Sequence, residues 1–480
     1  MLMRGSKIIH PSRFLFALLL LALAACGGDG GGEAESLLVV GPSAVRQGEV
    51  TVFSALTRDP RNPRSRLVAD STVSWTVEPA EAGLITAEGR FVGYRPGPAA
   101  IVATVAGGSG RLPVLIAPRQ GVRGGFELVG RGPVTERFTS DLWSHGRFAL
   151  TGTWLGGGID PPERLPGDTL FAWDLRNPRI PTLTAALTVD ARTVNDVKIR
   201  SDGTLAVLTH EGSVDGLNGI TLLDLTEPLQ PTILTRFSAG LESGVHNVWI
   251  EGDFVYAVAD GEGAGLRIID ISGVTDPLLP RAPTVVASFV AETSFLHDVL
   301  VRDGLAFLSH WDAGLIILDV GNGVAGGSPQ QPVEVSRIAT AGGQTHNAWY
   351  WPAAGYVFVG EEDFDTPGLM HVVDVSDLFH PREVATFGVP GETPHNFWVD
   401  EERGILYAAW YSAGVRAVDV SGELLGALEQ QEREIAVTRY GSDAGCRSAD
   451  GTCAWAPQLH EGLLHVSDLN TGLWIFRPAF

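Results

Sequence analysis

The sequence predicts an all-β chain, on three observations. From residue 37 onward, short apolar stretches alternate with turn-forming Gly, Pro, Asn and Asp. The motif G-L-x-[IV]-x-D-[VIL] then recurs, placing Asp174, Asp224, Asp270, Asp319, Asp374 and Asp419 at equivalent positions, with a seventh copy at 472–478 in which Arg477 replaces the Asp. Finally, a His-Asn or His-Asp pair opens a strand in "GVHNVWI", "FLHDVLV", "QTHNAWY" and "TPHNFWV", and the pairs follow one another at about 50 residues. A period of that length with four short strands per unit defines a β-propeller, so seven blades are expected.

Taken in order, residues 1–25 read as a secretory signal. Arg4, Lys7 and Arg13 lead into an apolar run from Phe14 to Ala24 that is too short to span a bilayer comfortably. The run ends in Leu23-Ala24-Ala25-Cys26, which resembles the bacterial lipobox. That resemblance implies lipidation of Cys26 and its exposure as a new N-terminus. Residues 26–36, with "GGDGGGEAES", are a flexible polar tether. The expected location is therefore the bacterial cell envelope, exported and held to the membrane through the N-terminal lipid. The formal net charge of −22 opposes nucleic-acid binding, which needs Lys and Arg against phosphate, and favours a cationic partner or metal ion.

Residues 37–118 predict a small β-sandwich. Trp75 and Val77 fall on one strand face, and Ile101, Ala103 and Val105 on another. The segment resembles the bacterial Ig-like group 2 domain through "VSWTVEP", "GRF" and "GPAAIVAT". The resemblance implies a spacer or contact module. Residues 119–124, "RQGVRG", form the linker.

Residues 125–480 form the repeat. One unit reads as four strands, "HNVWIEG", "FVYAVAD", "GLRIIDI" and "PTVVASFV". Near-continuous apolar strands mean that both faces pack on neighbours. "GFELVGRG" at 125–132 matches a fourth strand with no first three before it, and the last unit reaches only its third strand, Leu473–Phe476. The first strand is thus expected to complete the last blade and remove the open sheet edge. The unit resembles the LVIVD-repeat propellers, in particular the exported choice-of-anchor B group. The residues carrying the resemblance are "GLRIIDISGVTDP", "GLMHVVDVSDLFHP", the His-Asn strand starts and "CAWAPQLHEGLLHVSDLNTGLWIF". It implies a cell-surface or secreted protein without a settled activity.

Antiparallel connectivity puts the His pairs on the same rim as the loops between second and third strands. The rim collects His246, Asn247, His297, Asp298, His346, Asn347, His395 and Asn396, with His310, Trp311, Asp312 and Trp410 from the loops. Trp154, His210-Glu211, Asp260 and Tyr411 belong to the same loops. The expected function is a binding scaffold for a surface ligand or protein. A metal-dependent enzyme is the alternative: His246, His297, His346 and His395, with Glu361, Glu362 and Asp363, supply the nitrogen and oxygen donors of a divalent metal site. Alternatively, each pair ties adjacent blades, and the protein is a purely structural envelope component. "GEEDFDTPG" offers carboxylates for Ca²⁺ but lacks the EF-hand spacing. No G-x-S-x-G or H-E-x-x-H motif occurs. The strand-C Asp series is expected to fix turns. Cys446 and Cys453, close together in an exported chain, are expected to pair as a disulfide, with a two-Cys metal site as the alternative.

Overall fold

A computed structural model of the chain describes residues 36–59, 62–68, 72–106, 108–155, 164–261, 264–276, 280–291 and 295–480. The signal segment, the lipidation position Cys26 and nearly all of the tether lie outside the described residues. The described chain is all-β: its regular elements are strands and a few 3₁₀ turns.

The N-terminal region builds three small sheets around one core. Ser74–Glu78, with every second residue buried, pairs antiparallel with Gly97–Val105, which in turn pairs with Gly108–Ala117. Trp75, Val77, Ile101 and Ala103 do face one interior, together with Phe53, Phe91 and Ile116. Period-two alternation is the expected signature of strands with one wet face.

Beyond residue 125 the described strands form seven sheets of four antiparallel strands, one of them extended by a fifth. Their leading strands are Phe138–His145, Val197–Ile199, Val245–Glu251, Leu296–Arg302, Thr345–Trp351, Phe397–Asp400 and Ala454–His460, here called sheets one to seven. Sheet seven is completed by Gly125–Pro133, which pairs antiparallel with Gly472–Ala479. Each leading strand touches the next, and that of sheet seven touches that of sheet one. The apolar cores lie between consecutive sheets. Leu150 and Leu170 of sheet one meet Val197 and Leu208 of sheet two, and so on until Leu473 and Ile475 of sheet seven meet Ala149 and Trp173 of sheet one. Middle strands are buried on both faces, whereas the fourth strands are half exposed. Burial of each large aliphatic side chain contributes about 1.5–3 kcal/mol.

The recurrent Asp of the third strands fixes the turn that follows. Asp174, Asp224, Asp270, Asp374 and Asp419 each accept the backbone N–H two residues on, at 2.7–2.9 Å. Asp319 accepts four such groups, from Gly321, Gly323, Ala325 and Gly327, and these hold its carboxyl well below the usual range despite the opposing effect of burial.

Sheet six carries an inserted strap before its last strand. Gly426–Ala427 pairs parallel with the edge of sheet five, and Tyr94 of the N-terminal region accepts the Ala427 N–H. Buried Arg433 donates to the Gly48 carbonyl at 2.6 Å and to carbonyls of Asp419 and Ser421. The N-terminal region is thereby docked on sheet six.

Candidate metal centre

The leading strands owe their inward chemistry to β-bulges. In sheets three, four and five the ladder slips by one residue at His246, His297 and His346, and in sheet seven at Trp455. A bulge inserts one unpaired residue and re-aims side chains. Both members of each pair therefore face the centre, one above the other, instead of pointing to opposite faces.

The upper level is a row of rings in edge or tilted contact. His246 and His297 have centroids 4.5 Å apart, His297 and His346 4.1 Å, His346 and His395 4.2 Å, and His395 and Trp455 4.1 Å. Ser140 and Asn195 occupy the corresponding positions in sheets one and two. The lower level holds Asp141, Asn247, Asp298, Asn347 and Asn396, which line a small chamber of about 60 Å³. Its floor is made by Trp143, Trp249, Trp349 and Trp398, in edge or tilted contact with one another. The chamber has room for a few waters.

Hydrogen bonding fixes the tautomers of two rings. His297 Nδ1 lies 2.9 Å from the His346 carbonyl and His395 Nδ1 2.7 Å from that of Trp455. A carbonyl only accepts, so both Nδ1 atoms carry the hydrogen and both Nε2 atoms keep a lone pair. His297 Nε2 is 3.0 Å from His246 Nε2, and His246 Nδ1 is 2.9 Å from Glu211 Oε1. Glu211 Oε1 and the His297 Nε2 lone pair are both acceptors, so both nitrogens of His246 donate and the ring is an imidazolium. Burial opposes that charge, but the Glu211 carboxylate outweighs it, helped by Asp260 and Glu362, and pushes His246 up to about 9. Burial, then the neighbouring imidazoles, holds His297 and His346 well below the usual value. Burial also lowers His395, to about 3.

Acidic and aromatic loop residues close over the row. Glu362 Oε2 stands 3.6 Å from His346 Nε2, and its other oxygen accepts from the Tyr411 hydroxyl. Tyr411 sits at φ +43°, an uncommon conformation for a bulky residue. Trp311 packs 5.3 Å from His297 and Tyr411 5.1 Å from His395. The donor atoms of His297, His346 and Glu362 lie within 4.8 Å of one another, as do those of Glu211, His246 and Asp260. Burial, then nearby negative charge in the case of Asp260, raises Asp260 and Glu362 to about 7.

Other residues singled out in the sequence stand elsewhere. Glu361 faces His371, its Oε1 3.0 Å from Nε2 but off the hydrogen-bond line, and Asp363 accepts the N–H groups of Asp365 and Thr366 in its own loop. Trp410 is fully buried against Phe387, His310 is buried in its strand, and Asp312 is exposed. Asn247 Oδ1 accepts the Val299 N–H of the next sheet, so this residue ties sheets together. Cys446 and Cys453 form a disulfide, and Cys453 packs with Phe138, Tyr411 and Trp455 beside the imidazole row. Trp455 and Lys198 are additions that the pair motif does not announce. Aligning the repeats on the strand starts finds both, because "WAPQ" takes the place of "HNVW" and Lys198 that of the motif Trp.

The family model for the LVIVD repeat matches residues 244–281 and 296–340, within sheets three and four. No curated protein matches the chain. Among solved structures, the computationally designed Ika8 protein is similar at 12% identity, over 74% of this chain and 100% of its own, with a TM-score of 0.47. The chain thus carries LVIVD repeats, a repeat type of propeller-like proteins, in the two sheets that supply His246 and His297.

Proposed function

We propose that this chain is an exported, lipid-tethered seven-bladed β-propeller, carried on an Ig-like domain, that binds a divalent transition-metal ion at the centre of its loop-rich rim. The fold reading is supported by the seven four-stranded sheets, the cyclic contacts of their leading strands and the first strand completing the last sheet. The export reading rests on residues 1–26 of the sequence and on the disulfide, which suits an oxidising compartment.

One observation carries the metal reading. Nε2 of His246 and His297 face each other at 3.0 Å, and His297 shares a donor group within 4.8 Å with His346 and Glu362, the latter two 3.6 Å apart. Four donors around an ion with bonds of about 2.0–2.1 Å stand about 3.3 Å apart in a tetrahedron. Separations of 3.0 and 3.6 Å bracket that value. The Nδ1–carbonyl bonds of His297 and His395 orient rings as metal-binding histidines commonly require. Imidazole with carboxylate suits Zn, Fe, Cu or Ni rather than Ca or Mg.

The test is equilibrium dialysis of the purified mature protein against Zn²⁺ or Co²⁺, read by elemental analysis. Stoichiometric binding, lost in His297→Ala and His346→Ala, is expected. Metal content no higher than a chelator-washed blank sinks the reading. The scaffold reading retains support from the same rim, where Phe364 is 70% exposed beside Tyr411. A surface partner would then meet the aromatic loops that surround the ion.

A further inference from the structure

His246 stands between two groups of metal-ligand type. Its Nε2 lies 3.0 Å from Nε2 of His297, which shares one donor group with His346 and Glu362, and its Nδ1 lies 2.9 Å from Glu211, which with His246 and Asp260 makes the other. We infer that His246 bridges two metal ions, the second held by Glu211, Asp260 and His246 Nδ1. This rests on the metal reading given above and adds a second ion, its ligands and the bridging role.

The second cluster is built by its backbone. Asp260 donates its N–H to the Gly244 carbonyl at 2.9 Å. Gly244 has φ +122°, and a Cβ there would lie 2.5 Å from Asp260 Oδ2. Only glycine lets this carboxylate approach the start of the strand that carries His246. Among the described residues, no hydrogen-bond donor meets the Asp260 carboxylate, although the residue is half-buried. The His246 imidazolium stands beside both this acid and Glu211, so two carboxylates share one positive charge. Turn formation does not explain the placement of Asp260, because it makes none of the bonds to backbone N–H that occupy Asp363 and the third-strand Asp series.

The geometry sets the separation of the two ions. Bonds of about 2.0–2.1 Å on the two nitrogens of one imidazole place the ions roughly 6 Å apart. Coordination at both nitrogens releases both N–H protons to solvent, and the metal charges replace the single positive charge of the ring. Glu211 and Asp260 supply the oxygen donors on one side, and Glu362 on the other.

The experiment titrates the metal-free mature protein with Zn²⁺ for stoichiometry and with Cu²⁺ for electron paramagnetic resonance. Two ions per chain are expected, with the Cu²⁺ signal diminished at full loading because an imidazolate bridge couples the spins. Asp260→Asn is expected to bring the count from two to one and restore an isolated Cu²⁺ signal. Glu211→Gln provides a second variant, and thermal unfolding identifies any variant that has not folded. One ion in the unaltered protein, or two with a full uncoupled signal, overturns the bridge while leaving the single-ion reading intact. An unchanged count in both variants also overturns it. Zero ions removes the underlying metal reading as well.

Discussion

Two arcs of the same ring solve the same problem differently. Sheets three to six place imidazoles at the upper level, whereas sheets one and two place Ser140 and Asn195 there and concentrate charge below. In that second arc Lys198 pairs with Asp141 at 2.6 Å and with Asp196, all three buried. Asp196 Oδ2 also accepts the Val248 N–H of the next sheet at 2.9 Å. This cluster is closed: burial opposes the charges and, with Asp141, pushes Asp196 well up, while Lys198 holds Asp141 below its usual value and the two acids hold the lysine above its own. The imidazole arc is not closed, since Nε2 lone pairs and two half-buried acids meet without enough donors. Equivalent strand positions thus yield a closed internal salt cluster on one side and an open donor set on the other.

The comparison can be broken most severely at Lys198. Lys198→Met leaves the buried Asp141–Asp196 pair without its counter-charge, and chemical denaturation should show a loss of about 3–5 kcal/mol. A loss below 1 kcal/mol would mean that the cluster is not the closed unit described. Reduction of the Cys446–Cys453 disulfide should cost about 2–3 kcal/mol for so short a loop, and should also loosen Trp455 beside His395, visible as a change in tryptophan fluorescence.

A pH measurement separates the central rings from a peripheral imidazole. His371 is buried between Glu361 and Glu383, with Nδ1 2.7 Å from Glu383; burial works against its charge, but the two carboxylates push it up to about 9. Its folded value lies above the unfolded one of about 6.5, so its contribution is complete below pH 6.5 and fades as pH rises through 9. Unfolding free energy should therefore decline between pH 7 and 9, through His371 and His246 alike, and His371→Gln should remove only the peripheral share of that slope. The smallest effect is expected at the rim, where Phe364→Ser should change stability by less than about 0.5 kcal/mol. If it also leaves capture of surface partners unchanged, the scaffold role of that loop is excluded.

Much of this arrangement is legible in the sequence. The Asp series and the His-Asn beat report strand register because every unit must make the same turn and start at the same radius. The bulges are harder to see: no residue type announces that His246 and Asn247 will face the same way. The loop partners are harder still. Glu211, Asp260 and Glu362 come from loops without periodicity, and adjacent Glu361, Glu362 and Asp363 diverge to three different tasks within three residues. Chain order cannot distinguish them, because the choice is made by the direction in which each peptide leaves the strand.

The pairing of Gly125–Pro133 with Gly472–Ala479 joins residues such as Glu127 and Arg477 that lie 350 positions apart. The early strand therefore emerges long before its mate and waits with unpaired N–H and C=O groups, a template for the wrong neighbour. This pairing cannot precede synthesis of Gly472–Ala479, so the edge of the early strand stays open to mispairing for the whole of the intervening chain. Because Gly125 lies opposite Ala479 in an antiparallel pair, a pull that separates those two ends would open the seam bond by bond from that side.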